Sequence, residues 1–268
     1  MWRVFVFLCV FLLVPATAAA QTTGLKRLTL RQDLLGFEAV GRLDLGDAAY
    51  CSGVLIAPDI VLTAAHCVGR VATGQVAIDK VRFRSGLRDG EAVAERRAKA
   101  VALHPGYRIG GPMTLRNIRN DVALVQLDSA IPAATAAPFR VDRLPGPNRA
   151  VSVVSYARGR SEALSWQGEC RVLGRRAELF AFNCDVTFGA SGAPVFDRSG
   201  GRARIVSLIS AGSRATDGVV AFGMELPAAV AQLQRALRTG NGVSTGVRKP
   251  TAEELARRAT GGAKFVRP

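Results

Sequence analysis

Between Ala39 and Leu226 the chain is divided into short runs of aliphatic, β-branched and aromatic residues, each closed by Gly, Pro, Asn or Asp, with no helical period before Pro227. That punctuation confines the chain to an all-β fold. Twelve strands are predicted: Ala39 to Leu45, Tyr50 to Ala57, Ile60 to Thr63, Val76 to Arg84, Ala92 to His104, Val122 to Leu127, Val151 to Ala157, Glu169 to Leu173, Leu179 to Cys184, Ala193 to Phe196, Ala203 to Ile209 and Val219 to Leu226. Val230, Leu233 and Leu237 then recur at helical spacing, which predicts one C-terminal helix within 227–238. Pro132, Pro138, Pro145 and Pro147 crowd one stretch between predicted strands. Residues 239–268 read as a flexible tail, rich in Gly, Ser and Asn up to Thr245 and with a capped helix start at Thr251 to Glu254.

The N-terminal segment predicts export. Met1 Trp2 Arg3, the apolar run Val4 to Val14 and the small residues Ala16 to Ala20 have the three parts of a signal peptide over 1–20, cut after Ala20. The apolar run is too short to span a bilayer, and Cys9 lies in its middle, away from a lipidation position, so no membrane anchor is expected. Removing the leader leaves Cys51, Cys67, Cys170 and Cys184, an even set in an oxidising compartment, periplasmic or extracellular, with three pairings open.

Thirty-six Lys plus Arg face 21 Asp plus Glu, a formal charge of +15. Thirty-one of the 36 are Arg, scattered through an Ala- and Gly-rich chain, which reads as compositional bias. No basic and aromatic interleaving of the kind that binds single strands is present, so no nucleic-acid partner is expected. At most the net field gives a weak attraction to anionic surfaces.

Chemistry concentrates at three places. A serine hydroxyl needs a base within hydrogen-bond reach, and the base needs a third group to orient it. Ser191 lies between Gly189 and Gly192, where the backbone can bend sharply and bring amides to a substrate oxygen. The chain has two histidines. His66 ends the apolar run Ile60 to Ala65, and His104 precedes Pro105 and Gly106 in a loop. Asp121 opens the apolar strand Val122 to Leu127, where burial without a partner is costly, and pairing with His66 removes that cost. A histidine beside a cysteine also offers half a metal site, but neither a second suitably placed histidine nor a CxxC completes it.

The segments Tyr50 Cys51 Ser52 Gly53 Val54 Leu55 Ile56 Ala57 Pro58, Val61 Leu62 Thr63 Ala64 Ala65 His66 Cys67 and Gly189 Ala190 Ser191 Gly192 Ala193 Pro194 resemble the trypsin-like (chymotrypsin-fold) serine peptidases, in particular their bacterial branch similar to glutamyl endopeptidases. The resemblance runs from about Phe37 to Leu226. It implies a peptidase domain over 36–238, built of two six-stranded antiparallel β-barrels, about 36–140 and 146–226, packed around a catalytic cleft with the C-terminal helix behind. It further implies a triad of His66, Asp121 and Ser191, an oxyanion hole from the Gly189 and Ser191 amides, substrate contacts from Ser210 and Gly212, and a Cys51–Cys67 bridge around the histidine loop, with Cys170–Cys184 as the other local pair. The substrate is expected to be a protein or peptide, with no cofactor and no metal. His104 matches a feature upstream of the family's aspartate and takes no catalytic part.

Two departures matter. Ala190 stands where the animal digestive enzymes carry the aspartate that receives a new N-terminal amine, so activity without internal cleavage is expected. Asp185, six residues before Ser191, has the offset of an aspartate selecting Lys or Arg, and equally reads as a loop-capping carboxylate. The competing class is a non-catalytic basic binding module on a peptidase scaffold. A lipase is disfavoured because its nucleophile precedes the acid and histidine in the chain.

Overall fold

The computed structural model describes residues 24–46, 49–144, 146–215 and 218–245. The signal peptide over 1–20 and the helix start at Thr251 lie outside the described residues. In chain order the strands are β1 Leu25–Arg27, β2 Val40–Leu45, β3 Tyr50–Ala57, β4 Ile60–Thr63, β5 Val81–Ser85, β6 Ala94–Leu103, β7 Ala123–Leu127, β8 Ala150–Ala157, β9 Arg160–Arg176, β10 Leu179–Phe182, β11 Pro194–Asp197, β12 Arg204–Leu208, β13 Ala211–Ala215, β14 Gly218–Met224 and β15 Val243–Ser244. The helices are α1 Ala65–Ala72, α2 Leu115–Arg119 and α3 Pro227–Thr239.

The all-β expectation holds. The first sheet runs β15-β6-β5-β2-β3-β4-β7, and a further β6–β7 ladder closes β2 to β7 into a six-stranded barrel. Its inward row is set by register: Val54 faces Leu62 and Leu62 faces Leu124, all fully buried. The second sheet follows β12-β11-β8-β9-β10-β14-β13, with β1 added on β9. It curls into a half barrel, and among the described residues no ladder joins its ends.

Two cores result. One spans the first barrel and crosses into the second sheet through Val154, Tyr156, Leu164, Phe196 and Met224. The other fills the second sheet with Val153, Phe180, Phe182, Val195, Val206 and the half-cystines Cys170 and Cys184. A fully buried Phe or Leu contributes about 1.5 to 3 kcal/mol, so the crossing residues weld the two halves. Tyr156 adds polar fastening: its hydroxyl donates to the Leu87 carbonyl at 2.9 Å.

Several elements differ from the sequence reading. The stretch from Val76 opens with a 3-10 turn at Ile78–Lys80 before β5 begins. β9 extends far beyond Glu169 to Leu173, because the hairpin turn after Ala157 carries the chain back along β8 from Arg160. β1 and β13 were not expected, nor were α1 and α2. Residues Val243 and Ser244, placed by sequence in the tail, pair with Ala102 and Val101 of β6. Pro227 begins α3, where its missing N–H costs nothing, and Gly240 ends it in the left-handed region. The structure joins Cys51 to Cys67 and Cys170 to Cys184.

Candidate active site

β4 ends at the fully buried Thr63, and α1 begins two residues later, so the strand-to-helix turn holds His66 in the first turn of α1. The Cys51–Cys67 bridge ties the next residue to β3. Closing a loop of about 15 residues is worth roughly 3 kcal/mol in the chain-entropy account. His66 keeps a third of its side chain exposed.

Asp121 arrives just before β7, the strand paired with β4 (Thr63 faces Ala123), on a loop built by side-chain hydrogen bonds. Thr114 caps α2 by accepting from the Asn117 amide at 3.2 Å. The Asn117 amide group holds the Arg108 carbonyl at 3.2 Å and that of Pro112 at 3.3 Å. Asn120 donates to the Gly106 carbonyl at 3.0 Å. The Asp121 side chain is 3% exposed, and three donors meet it. Oδ1 accepts from the His66 amide at 2.8 Å, and Oδ2 lies 2.7 Å from His66 Nδ1 and accepts from Ser210 Oγ at 2.5 Å. With Asp121 as a carboxylate, Nδ1 carries the proton and Nε2 is left as an acceptor. Tyr107 stands beside this group, its phenol pushed up to about 12 first by burial and then by the Asp121 charge.

Ser191 sits in the turn between Thr187 and Gly192, which is pressed onto the first barrel. Gly189 has φ +90°, and a Cβ there would lie 2.5 Å from the Tyr50 ring. Gly192 has φ +76°, and its Cβ would lie 2.3 Å from both the Ser52 carbonyl and Thr63 Oγ1. Only glycine fits either place. The turn is fixed by the Ser52 amide donating to the Ser191 carbonyl at 2.8 Å and by the Gly192 amide donating to the Ile209 carbonyl at 2.7 Å. Among the described residues, neither the Gly189 nor the Ser191 amide donates to a backbone carbonyl. The Arg158 amide holds the Phe188 carbonyl at 2.7 Å, which orients the peptide that carries the Gly189 N–H. Ala190 is fully buried, its amide donating to the Thr187 carbonyl at 3.0 Å.

The other expected residues fall around this turn. Ser210 is buried and bonded to Asp121, as above. Gly212 lies on β13, where a Cβ would meet the Val186 side chain at 3.2 Å. Asp185, on the same segment as Val186, receives its anchor through its amide, which donates to Gln167 Oε1 at 2.8 Å. His104 stays apart: its Nδ1 accepts from the Gly106 amide at 3.2 Å within its own loop. Cys51, Cys67 and His66 offer atoms within 4.8 Å of one another, but the two sulfurs are bonded together and supply no thiolate to a metal.

Sequence reasoning missed Tyr50, Tyr107 and the side chain of Ser52. Tyr50 backs Gly189 and opens onto a cavity of about 500 Å³ lined in part by Arg42, Asp44, Lys80 and Glu162. Burial raises its phenol above the ordinary value, outweighing the nearby Arg42 charge. The aromatic residue before Cys51 was the available signal.

A stretch of 97 residues is 37% identical to a trypsin of Sarcophaga bullata, covering 35% of this chain and 33% of that protein. A stretch of 105 residues is 35% identical to human serine protease 56, covering 39% of this chain and 16% of that protein. The chain thus matches a third or less of the length of these relatives. Among solved structures, a Glu endopeptidase in complex with MPD superposes with a TM-score of 0.62 at 18% identity, over 81% of this chain and 96% of that one. The protease Anisep from Arthrobacter nicotinovorans gives 0.56 at 16% identity, over 74% and 94%. These two share the fold. The sequence profile described as trypsin-like peptidase domain matches residues 51–203, more than half of the chain, and with it the chain belongs to the trypsin-like peptidase family.

Proposed function

We propose that the protein is an exported serine endopeptidase that cleaves peptide bonds through an acyl-enzyme. The observation that carries this reading is the Asp121 carboxylate held by the His66 amide, His66 Nδ1 and Ser210 Oγ, with the Ser191 turn packed against the turn that bears His66. His66 Nε2 takes the proton of Ser191 Oγ as the oxygen attacks the carbonyl carbon. The carbonyl π pair moves onto oxygen, which the Gly189 and Ser191 amides receive. As the C–N bond breaks, His66 passes the proton to the departing amine, and an ester on Ser191 remains. Water repeats the cycle and frees the acid. Asp121 holds the tautomer of His66 and stabilises its cation.

In this reading residues 36–238 form the peptidase domain, and Ser210, Gly212 and Asp185 contact the substrate. Two disulfides fit an oxidising compartment. The competing binding module is separated by one experiment: labelling with a fluorophosphonate probe and cleavage of a peptide library, with Ser191→Ala alongside. Wild type is expected to label and cleave, and Ser191→Ala to lose turnover by roughly a millionfold while keeping the fold. Turnover retained in that variant sinks the assignment. A library cut without preference for Lys or Arg removes Asp185 from substrate contact.

A further inference from the structure

We propose that Ser52 is the positioning residue of the oxyanion site, a role that rests on reading the Ser191 turn as the nucleophile turn. Ser52 lies on β3 and is fully buried. Five hydrogen bonds meet on this one residue, from three separate parts of the chain. The Tyr156 amide of β8 donates to Ser52 Oγ at 2.9 Å. With a lone pair so engaged, the hydroxyl proton is directed outward to the Gly189 carbonyl at 3.0 Å, with the Tyr156 carbonyl a longer second acceptor at 3.2 Å. Its own amide donates to the Ser191 carbonyl at 2.8 Å, and its own carbonyl accepts from Thr63 Oγ1 at 2.9 Å.

The hydroxyl matters because of what it holds. Gly189 has no side chain to limit its rotation, and its φ of +90° is one of several conformations open to glycine. Two neighbouring peptides fix the direction of its N–H. Arg158 pins the preceding carbonyl, and Ser52 pins the Gly189 carbonyl itself. Removing the hydroxyl leaves the Gly189 carbonyl and the Tyr156 amide without these partners in a buried site, and frees one face of the turn to rotate. An oxyanion donor acts by pointing at charge that has not yet formed, so its value depends on being held in place beforehand.

The test uses the full mature protein and two specificity-independent probes, p-nitrophenyl acetate turnover and the rate of fluorophosphonate labelling, with thermal unfolding measured in parallel. Ser52→Ala is expected to lower kcat and the labelling rate by about 10- to 100-fold, the loss typical of a catalytic donor misplaced by about an ångström, with KM within about twofold of wild type. Ser52→Thr, which keeps the hydroxyl, is expected to recover most of kcat. Ser207→Ala removes an equally buried hydroxyl that donates to the Met224 carbonyl at 2.8 Å elsewhere in the second sheet, and should lower stability without touching kcat. If the alanine variant does not fold, Ser52→Cys, close in volume but a weak donor, carries the same expectation. Wild-type kcat in folded Ser52→Ala, an equal loss in Ser207→Ala, or no recovery in Ser52→Thr each overturn the inference. A wild type that neither turns over nor labels overturns the reading of the site and takes this inference with it.

Discussion

At the scale of single residues the two histidines have opposite fates. His66 is tied to a carboxylate, whereas His104 serves its loop as a neutral acceptor for Gly106. Burial holds the His104 imidazole below its ordinary value, and Arg119 pushes the same way. The unfolded chain therefore binds that proton more tightly than the folded one. The contribution of His104 to stability is complete above about pH 6.5 and declines as pH falls toward the folded value. His104→Asn, which keeps a short acceptor and cannot be protonated, should flatten the loss of stability between neutral and mildly acid pH, measured by denaturant unfolding. An unaltered slope would show that His104 does not titrate with folding. Residues at this scale were unequally legible in sequence. His66, Asp121 and Ser191, the residues of the proposed triad, each lie in a recognisable local pattern. Ser52 does not, because its partners Tyr156 and Gly189 lie 104 and 137 residues away and only folding brings them together.

At the scale of elements, hydrophobic runs found the strands that bury both faces and missed those that depend on neighbours. β3 and β4 begin and end where their sequence says, because nearly every residue in them faces a core. β9 spans 17 residues, yet exposed charged positions break its pattern at Glu162, Glu169 and Arg171, and it is kept extended by β8 and β1. β1 is three residues long and mostly exposed, so it carries no signal of its own. The bridge between Cys170 of β9 and Cys184 restrains the segment that runs on through Asp185 to Ser191. Replacing both cysteines by serine should lower unfolding free energy by about 3 kcal/mol. A pair of serines within about 0.5 kcal/mol of wild type, less than a typical surface change, would mean that β10 alone fixes the segment.

At the scale of the whole molecule the two sheets are not independent. Arg42 of β2 reaches across to Glu162 of β9 at 2.8 Å, and the Tyr156 hydroxyl of β8 donates to the Leu87 carbonyl beyond β5 at 2.9 Å. Below them, Tyr156, Leu164, Phe196 and Met224 share the core of the first barrel. Unfolding either sheet alone would expose that shared surface to water, so calorimetry should show one cooperative transition, and two resolved transitions would refute the coupling.

Among the described residues the second sheet stops short of closure, and β13 is the last strand of its path. A closed barrel has no unpaired edge, whereas a terminal strand presents a row of free N–H and C=O groups to any extended chain. β13 begins immediately after Ser210, the residue bonded to Asp121. In the proposed reading, a substrate backbone would add to this unfinished ladder as the next strand, and recognition would begin with main-chain pairing common to every sequence before any side chain is tested.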